Sequence, residues 1–249
     1  MTKKIWITGA SSGIGRALAI KFSNEGWQVA ASARRESLLN DLNKSNPNIH
    51  AFVLDVKDEK SVRNVFQNIL QKFETLDICV FATGIHDPEA EKKLSSEKIR
   101  EIMETNFFGT LNCIMAVNSF FREKKDGHIA IVSSVAGYRG LPAASGYCAS
   151  KAALTSLAES LYFDFKRKNV KVSLISPGFI KTPMTDRNTF PMPMIKSPEY
   201  AAEKIFVGLT KKNSFEIHFP KSFTILLKLL KIMPNWLFFW LVERGVKRF

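Results

Sequence analysis

Short apolar runs alternate with longer amphipathic stretches from residue 4 to residue 218. The apolar runs are rich in β-branched residues and predict strands at 4–8, 28–32, 49–54, 77–82, 128–133, 170–175 and 215–218. The amphipathic stretches have the helical period and predict helices at 13–25, 37–44, 59–73, 95–121, 147–168 and 198–211. This alternation is typical of an α/β domain with a Rossmann-type doubly wound parallel sheet of about seven strands, covered by helices on both faces.

Two segments depart from the alternation. Residues 177–198 are rich in proline, and a loop of this length in a compact domain is often a lid or a binding element. Residues 221–249 have helical spacing with a break at Pro234. We therefore expect one domain, 1–220, followed by an amphipathic helical extension, 221–249. The loop carries flexible or aromatic side chains suited to an apolar ligand: Phe179, Met184, Phe190, Met192, Met194 and Ile195.

The formal charge of +13 raises the question of a nucleic-acid partner. The extension, however, places six Lys or Arg residues, including Lys247 and Arg248, beside Trp and Phe, with Glu243 as its one acidic residue. This combination favours a membrane surface over nucleic acid. The longest uncharged run, 232–242, has eleven residues, fewer than the roughly 20 needed to span a bilayer. The alternative is that these aromatic side chains pack onto the domain or across a subunit interface.

The beginning of the chain and its cysteines suggest a cytoplasmic protein. The first ten residues lack the apolar core of a signal peptide. The cysteines, Cys79, Cys113 and Cys148, are odd in number and widely spaced, so reduced thiols are expected. No histidine has the spacing of a metal ligand, so no metal is expected and no role is assigned to the four histidines, His50, His86, His128 and His218.

Three glycines mark the junction between the first predicted strand and the first predicted helix. Gly9, Gly13 and Gly15 lie in the segment ITGASSGIGRALA. Glycine there permits a tight turn and close approach of a pyrophosphate to the free N–H groups of the helix. The spacing differs from the usual G-x-G-x-x-G fingerprint, so a plain turn is the alternative.

The end of the second strand indicates which dinucleotide would bind. Ala33 stands near the position where an acidic residue would bind the ribose of NAD, and Arg34 and Arg35 follow it. Arginine accommodates the 2′-phosphate of NADP, so NADP(H) is favoured over NAD(H). Asp55, after the third strand, either meets the adenine edge or caps the next helix.

Tyr147 and Lys151 lie four residues apart in a predicted helix and so share one face. A free phenol has a pKa of about 10, and a neighbouring ammonium lowers it. Tyr147 would then exchange a proton with a substrate oxygen. Ser134 follows the predicted strand 128–133, at the sheet edge where α/β proteins bind ligands, and its hydroxyl would hold the same oxygen.

Together these segments resemble the short-chain dehydrogenase/reductase family, in its compact single-domain form. The matching segments are TGASSGIG at 8–15, LDV at 54–56, ETNFFGT, VSSVAG, YCASK at 147–151 and PGFIKTPM at 177–184. The resemblance implies that Tyr147 is the acid/base and that Lys151 tunes it and holds the nicotinamide ribose. It further implies that Ser134 orients the carbonyl and that Asn106 supports a water-linked proton path.

The resemblance also implies further cofactor contacts and an oligomer. Helices covering 106–121 and 147–168 pair subunits in many relatives, so a homodimer or homotetramer is expected. One segment departs from the family pattern: Asn-Asn-Ala-Gly usually follows the fourth strand, whereas this chain has Phe81-Ala82-Thr83-Gly84. Amide contacts made there must therefore be lost or replaced. The implied contacts are Ser11, Ser12, Ile14, Val56, Ala82, Gly84, Pro177, Gly178, Ile180 and Thr182.

The sequence therefore predicts an NADP(H)-dependent oxidoreductase that transfers a hydride between nicotinamide and a carbonyl or alcohol carbon. The apolar loop favours a small lipophilic ketone or aldehyde as the substrate to be reduced. The alternative is a non-catalytic NADP(H)-binding redox sensor with the same fold.

Overall fold

The sheet of this computed structural model, which describes residues 2–188 and 190–246, contains seven parallel strands in the described part of the chain. Their spatial order is β3-β2-β1-β4-β5-β6-β7. The strands are β1 (Lys4–Thr8), β2 (Gln28–Ala33), β3 (Ile49–Val53), β4 (Ile78–Phe81), β5 (His128–Val132), β6 (Lys171–Pro177) and β7 (Glu216–Phe219).

Helices connect the strands and cover the sheet. They are α1 (Gly13–Asn24), α2 (Glu36–Lys44), α3 (Glu59–Phe73), α4 (Pro88–Lys92), α5 (Ser96–Met103), α6 (Gly109–Lys124), α7 (Ser145–Lys166), α8 (Pro198–Val207), α9 (Lys221–Ile232) and α10 (Asn235–Val246). Short 3₁₀ turns cover Val135–Gly137 and Thr185–Arg187, and π-type turns cover Glu104–Phe108 and Gly208–Lys212.

The core has one layer on each face of the sheet. Alternating residues of β1 show the division, because Ile5 and Ile7 face one layer and Trp6 faces the other. Both layers are apolar, so the strands read as nearly continuous hydrophobic runs. Helices α1 and α8 cover the first layer, and α3, α6 and α7 cover the second.

The order of the strands reverses between β1 and β4. Both are parallel neighbours, although α1, β2, α2, β3 and α3 separate them in sequence. In open α/β sheets, ligands bind at the carboxyl ends of the strands beside such a reversal. The topology therefore places the loops after β1 and β4 on either side of one crevice.

The fold class predicted from the sequence is confirmed, with local differences at helix ends. The helix predicted at 95–121 is α5, a π-type turn and α6 in succession, because apolar spacing does not distinguish i→i+4 from i→i+5 turns. Helix α7 begins two residues before the predicted start, and α4 was not predicted. Helix α4 is one short turn, whose Asp87 cap accepts a bond from Ala90 N–H.

The extension contains α9 and α10, which are joined at Met233 and Pro234. Arg139, from the loop after β5, holds this joint. Its guanidinium donates to the backbone carbonyls of Leu230 and Met233 at 2.8 Å each and lies 3.9 Å above the ring of Phe238. The predicted extension continues through residues 247–249, including Lys247 and Arg248, which lie outside the described residues, as does Thr189 of the loop.

Candidate active site

The turn between β1 and α1 brings backbone segments into close contact. Gly9 has φ of +70°, and a Cβ at this position would lie 2.8 Å from the carbonyl oxygen of Ala82. A Cβ at Gly15 would lie 2.4 Å from the oxygen of Gly9. Side chains are therefore excluded at both positions, and the N-terminus of α1 opens toward the crevice. This geometry suits an anionic group such as a pyrophosphate.

A cleft of about 410 Å³ lies at the carboxyl edge of the sheet. Segments after β1 to β6 and the first turns of α7 form its walls. All of the predicted cofactor contacts line it, together with three of the four predicted catalytic residues. These lining residues are Gly9, Ser11, Ser12, Gly13, Ile14, Gly15, Arg34, Arg35, Asp55, Val56, Ala82, Gly84, Ser134, Tyr147, Lys151, Pro177, Gly178, Ile180 and Thr182.

Arg35 crosses from the end of β2 to the glycine turn. One terminal nitrogen donates to the hydroxyls of Ser11 at 2.8 Å and Ser12 at 2.7 Å. Arg34 lines the same end of the cleft, and both arginines are exposed. Two arginines and two serine hydroxyls thus lie together at the end of the cleft beyond β2.

Asp55 does not cap the helix that follows it. Its carboxylate accepts a bond from Lys57 N–H at 3.0 Å, and it lines the cleft. Helix α3 is capped by Asp58, which accepts from Ser61 N–H at 3.0 Å. Of the two interpretations left open by the sequence, the capping role is therefore wrong.

The departure at residues 81–84 is accommodated by the core. The ring of Phe81 is buried and packs edge-on against Trp6, with centroids 5.7 Å apart. Ala82 N–H donates to the hydroxyl of Thr8 at 3.2 Å, and Thr83 and Gly84 line the cleft. Phe81 thus contributes to packing, and small or polar groups alone from this segment reach the cleft.

The predicted catalytic side chains come from β5 and α7. Ser134 extends from the end of β5 and hydrogen-bonds the side chain of Tyr147. Lys151 is buried, and its Nζ donates to the carbonyl of Val132 at 2.9 Å and lies 5.6 Å from the ring centre of Tyr147. The three side chains therefore meet at one end of the cleft.

Burial controls the proton affinities of this group. It raises the pKa of Tyr147 to about 12, while the hydrogen bond from Ser134 acts in the opposite direction. Burial also lowers the pKa of Lys151 to about 8. The direction for Tyr147 is opposite to the one that its spacing from Lys151 predicts. The reason is that Lys151 Nζ is directed at the Val132 carbonyl, so desolvation of the phenol dominates.

Asn106 lies behind the cleft wall rather than in it. It is fully buried in the π-type turn between α5 and α6. Its amide oxygen accepts the Ile85 N–H at 2.7 Å. Its amide nitrogen donates to the Ile85 carbonyl at 3.0 Å and to Ser150 Oγ at 3.0 Å. Asn106 Oδ1 and Lys151 Nζ both lie beside Gly84, because a Cβ there would be at ordinary contact distances of 3.5 Å and 3.4 Å from them.

Some residues that shape the site were not predicted. Ser133 Oγ donates to the carbonyl of Lys151 at 2.8 Å and so ties α7 to β5. His86 lines the cleft, and its ring centre lies 4.6 Å from that of Tyr147. Ser133 is adjacent to Ser134 in VSSVAG, so this motif could have indicated it. No local sequence pattern indicates His86, because its partners come from distant parts of the chain.

The apolar residues of the 177–198 loop divide into two groups. Met184 lines the cleft, as do Ile180 and Pro183. Phe179 packs instead on Phe223 of the extension, with ring centres 5.5 Å apart. Phe190, Met194 and Ile195 are exposed, and Met192 is half-buried. The loop thus contributes less apolar surface to the cleft than the sequence suggests.

The part of the chain that the structure describes contains no group of three or more His, Cys, Asp or Glu residues able to bind a metal ion. Within the same residues, no helix is long and apolar enough to cross a membrane.

Known proteins resemble this chain over most of its length. An oxidoreductase of Myxococcus xanthus is 34% identical over 236 residues, which cover 93% of each chain. The 3-oxoacyl-[acyl-carrier-protein] reductase FabG of Thermotoga maritima is 28% identical over 223 residues, covering 84% of this chain and 91% of the relative. The solved structure of ElxO with NADP bound superposes with a TM-score of 0.77 and 26% identity, covering 88% of this chain and 98% of that one.

The family model for short chain dehydrogenases matches residues 3–193, which include the glycine turn, the cleft and α7. The fold, the residues at the carboxyl edge of the sheet and these similarities agree. The chain belongs to the short-chain dehydrogenase family and is an oxidoreductase of that family.

Proposed function

We propose that this protein is an NADP(H)-dependent reductase of lipophilic ketones or aldehydes. The observation that carries the proposal is the meeting of Ser134, Tyr147 and Lys151 at the end of a cleft that begins at an open glycine turn. A bound nicotinamide would supply the hydride to the carbonyl carbon. The remaining requirements are a donor to the carbonyl oxygen and a proton for the developing alkoxide.

The chain's own residues meet these requirements. Ser134 holds the carbonyl oxygen, and Tyr147 delivers the proton to it as the negative charge grows. Because burial raises the pKa of Tyr147 to about 12, the phenol is protonated at neutral pH and ready to donate. Lys151, with a pKa of about 8, is mostly charged at neutral pH and stabilises the resulting phenolate. Asn106 supports the proton path by fixing Ile85 and the neighbourhood of Lys151.

The cofactor assignment rests on the arginines beyond β2. Arg34 and Arg35 line the cleft beyond β2, where they could bind a 2′-phosphate, and a charge-assisted bond to phosphate is stronger than a neutral one. The structural relative ElxO was solved with NADP bound, which supports the same cofactor here. The substrate assignment rests on Ile180, Pro183 and Met184 at the other end, and on a relative named for reduction of 3-oxoacyl chains.

We propose that the protein self-associates through α6 and α7. Large apolar side chains on these helices and the turn before them are exposed in the single chain: 43% for Phe108, 58% for Met115 and 65% for Phe163. A second copy would remove this surface from water.

We also propose that the extension binds an anionic membrane surface. Phe223 and Phe238 pack onto the domain, as the alternative interpretation requires, but Ile232, Trp236 and Phe239 are 79%, 72% and 62% exposed. Lys221, Lys231 and Arg244 flank this surface on the same two helices and are exposed. Aromatic residues at the headgroup level with cations beside them are typical of interfacial helices.

The reductase function predicts NADPH oxidation with ketones and aldehydes of graded chain length, with kcat/KM rising with the apolar length. Tyr147→Phe removes the proton donor, so kcat is expected to fall roughly 10²–10⁴-fold. Tyr162→Phe, on the same helix but outside the cleft, is the matched control. Cofactor binding without turnover of any carbonyl compound would favour the redox-sensor alternative.

Replacing Arg34 and Arg35 with Ala is expected to weaken NADPH binding by about tenfold, because charge-assisted bonds to the 2′-phosphate are lost. Binding of NADH, which lacks that phosphate, should stay within about twofold. Fluorescence titration measures both, and Arg63→Ala, an exposed cation on α3, is the control. Equal weakening of the two cofactors would contradict the assignment.

Phe163→Glu is expected to lower the mass measured by sedimentation equilibrium, because a charge on α7 opposes burial against a second copy. Leu38→Glu, an exposed apolar residue on α2, should leave the mass unchanged. A wild-type protein that sediments as a monomer at micromolar concentration would rule out this interface.

Vesicles containing phosphatidylserine are expected to retain the protein, and neutral phosphatidylcholine vesicles to retain less. Changing Trp236 and Trp240 to Ser should weaken retention by about tenfold, since two interfacial side chains are lost. Leu94→Ser, an exposed apolar change in the turn before α5, is the control. Stronger retention on DNA than on anionic vesicles at matched salt would instead indicate nucleic-acid binding.

A further inference from the structure

The first turn of α7, which carries Tyr147, is held by a carboxylate from another part of the chain. The N-cap residue of α7 is Ala144, whose methyl group cannot accept a hydrogen bond. Glu91 Oε2, from α4, accepts the N–H of Gly146 at 2.6 Å and the N–H of Tyr147 at 3.1 Å. Glu91 is 2% exposed. A buried acidic side chain from α4 thus supplies the cap that the helix itself lacks.

The other oxygen of Glu91 faces His86. Glu91 Oε1 lies 3.3 Å from His86 Nε2, and neither atom has a hydrogen-bond partner among the described residues. The imidazole also hydrogen-bonds the backbone of Ala143 and packs against the ring of Tyr147, with centroids 4.6 Å apart. His86 and Glu91 therefore contact the chain on both sides of the start of α7.

The backbone between these contacts is strained. Ala143 has φ of +53°, in the left-handed region that disfavours residues with a Cβ. Such a conformation persists where surrounding contacts impose it, and these residues are often found beside functional sites. Here the surrounding contacts are those of His86 with the Ala143 backbone and of Glu91 with the N–H groups of Gly146 and Tyr147.

Burial disfavours charge on both side chains. It raises the pKa of Glu91 and lowers that of His86. Asp87 and Arg187, themselves paired at 3.0 Å, face the pair from the α4 and loop side, and Tyr147 and Cys148 face it from α7. A neutral glutamine at position 91 would reproduce this arrangement, with its oxygen on the backbone N–H groups and its NH₂ on His86.

We propose that Glu91 and His86 are positioning residues for Tyr147, which hold the first turn of α7 so that the phenol stays beside Ser134. The proposal rests on the proposed reductase function, because positioning of the phenol matters where the phenol delivers a proton. Glu91 acts through the backbone of Gly146 and Tyr147. His86 acts through Ala143 and through the face of the phenol ring.

Three variants of the full-length protein test the proposal: Glu91→Ala, Glu91→Gln and, as the control on the exposed face of the same helix, Glu89→Ala. We expect Glu91→Ala to lower kcat about tenfold or more, with KM for NADPH changed less than twofold, because the phosphate turn is untouched. Glu91→Gln should retain kcat within about twofold of wild type, and Glu89→Ala should match wild type. Equal kcat in Glu91→Ala and wild type, or failure of Glu91→Gln to restore it, would overturn the proposal.

A second measurement does not depend on turnover. Hydrogen exchange at the amides of Gly146 and Tyr147 should accelerate at least tenfold in Glu91→Ala and remain near wild type in Glu91→Gln. Unchanged exchange in Glu91→Ala would refute the capping role even if the wild type reduced no carbonyl compound, so the two proposals fail separately. If Glu91→Ala does not fold, His86→Phe replaces it in the test. This change keeps an aromatic ring but removes both nitrogen contacts. Its kcat should fall, whereas hydrogen exchange at the Gly146 amide should stay slow. A His86→Phe enzyme with wild-type kcat would then exclude the role of His86.

Discussion

The chemistry of this protein depends on how α7 is fastened to the carboxyl edge of the sheet. Lys151 Nζ reaches back to the carbonyl of Val132, and Ser133 Oγ donates to the carbonyl of Lys151, so β5 and α7 hold each other in register. Gly137 allows the turn after β5 to pack against the carbonyl of Lys151, because a Cβ at residue 137 would lie 2.7 Å from that oxygen. Tyr147 therefore points to one fixed place, one helical turn from a buried amine.

Fastening α7 in this way buries the groups that would exchange protons. Desolvation raises the pKa of Tyr147 and lowers that of Lys151, so both groups favour their neutral forms more than they would in water. At neutral pH the phenol of Tyr147 is therefore neutral, whereas Lys151, with a pKa of about 8, is still mostly charged. The hydrogen bond between Ser134 and Tyr147 is the contact that opposes desolvation of the phenol.

The sheet and the C-terminal extension differ in how much apolar surface they expose to solvent. The sheet is covered on both faces, whereas α9 and α10 leave much of their apolar surface exposed. Arg139 connects these regions, because it belongs to the loop between Ser134 and Tyr147 and holds the joint of the extension. Glu216 adds a second connection, since it accepts bonds from Tyr138 of that loop and Lys228 of α9.

The sequence by itself determined the α/β alternation, the glycine turn, the pair of arginines and the set Ser134, Tyr147 and Lys151. These features depend on local periodicity, on turn chemistry or on a motif whose residues lie close together in the chain. The NADP preference and the roles of these residues stay predictions. For the aromatic side chains of the extension, the sequence left open either a membrane surface or packing on protein. In the structure Phe238 is buried and Trp236 is exposed, and the membrane interpretation stays a prediction.

Tertiary structure decided whatever depends on contacts between distant segments. Phe81 packed into the core against Trp6, and Asn106 came to lie behind the cleft wall, where it hydrogen-bonds the backbone of Ile85. His86 and Glu91 became neighbours of Tyr147 although some 60 residues separate them in the chain. Periodicity cannot reveal such contacts, because a buried polar side chain is positioned by its partners, and those partners are chosen when the chain folds.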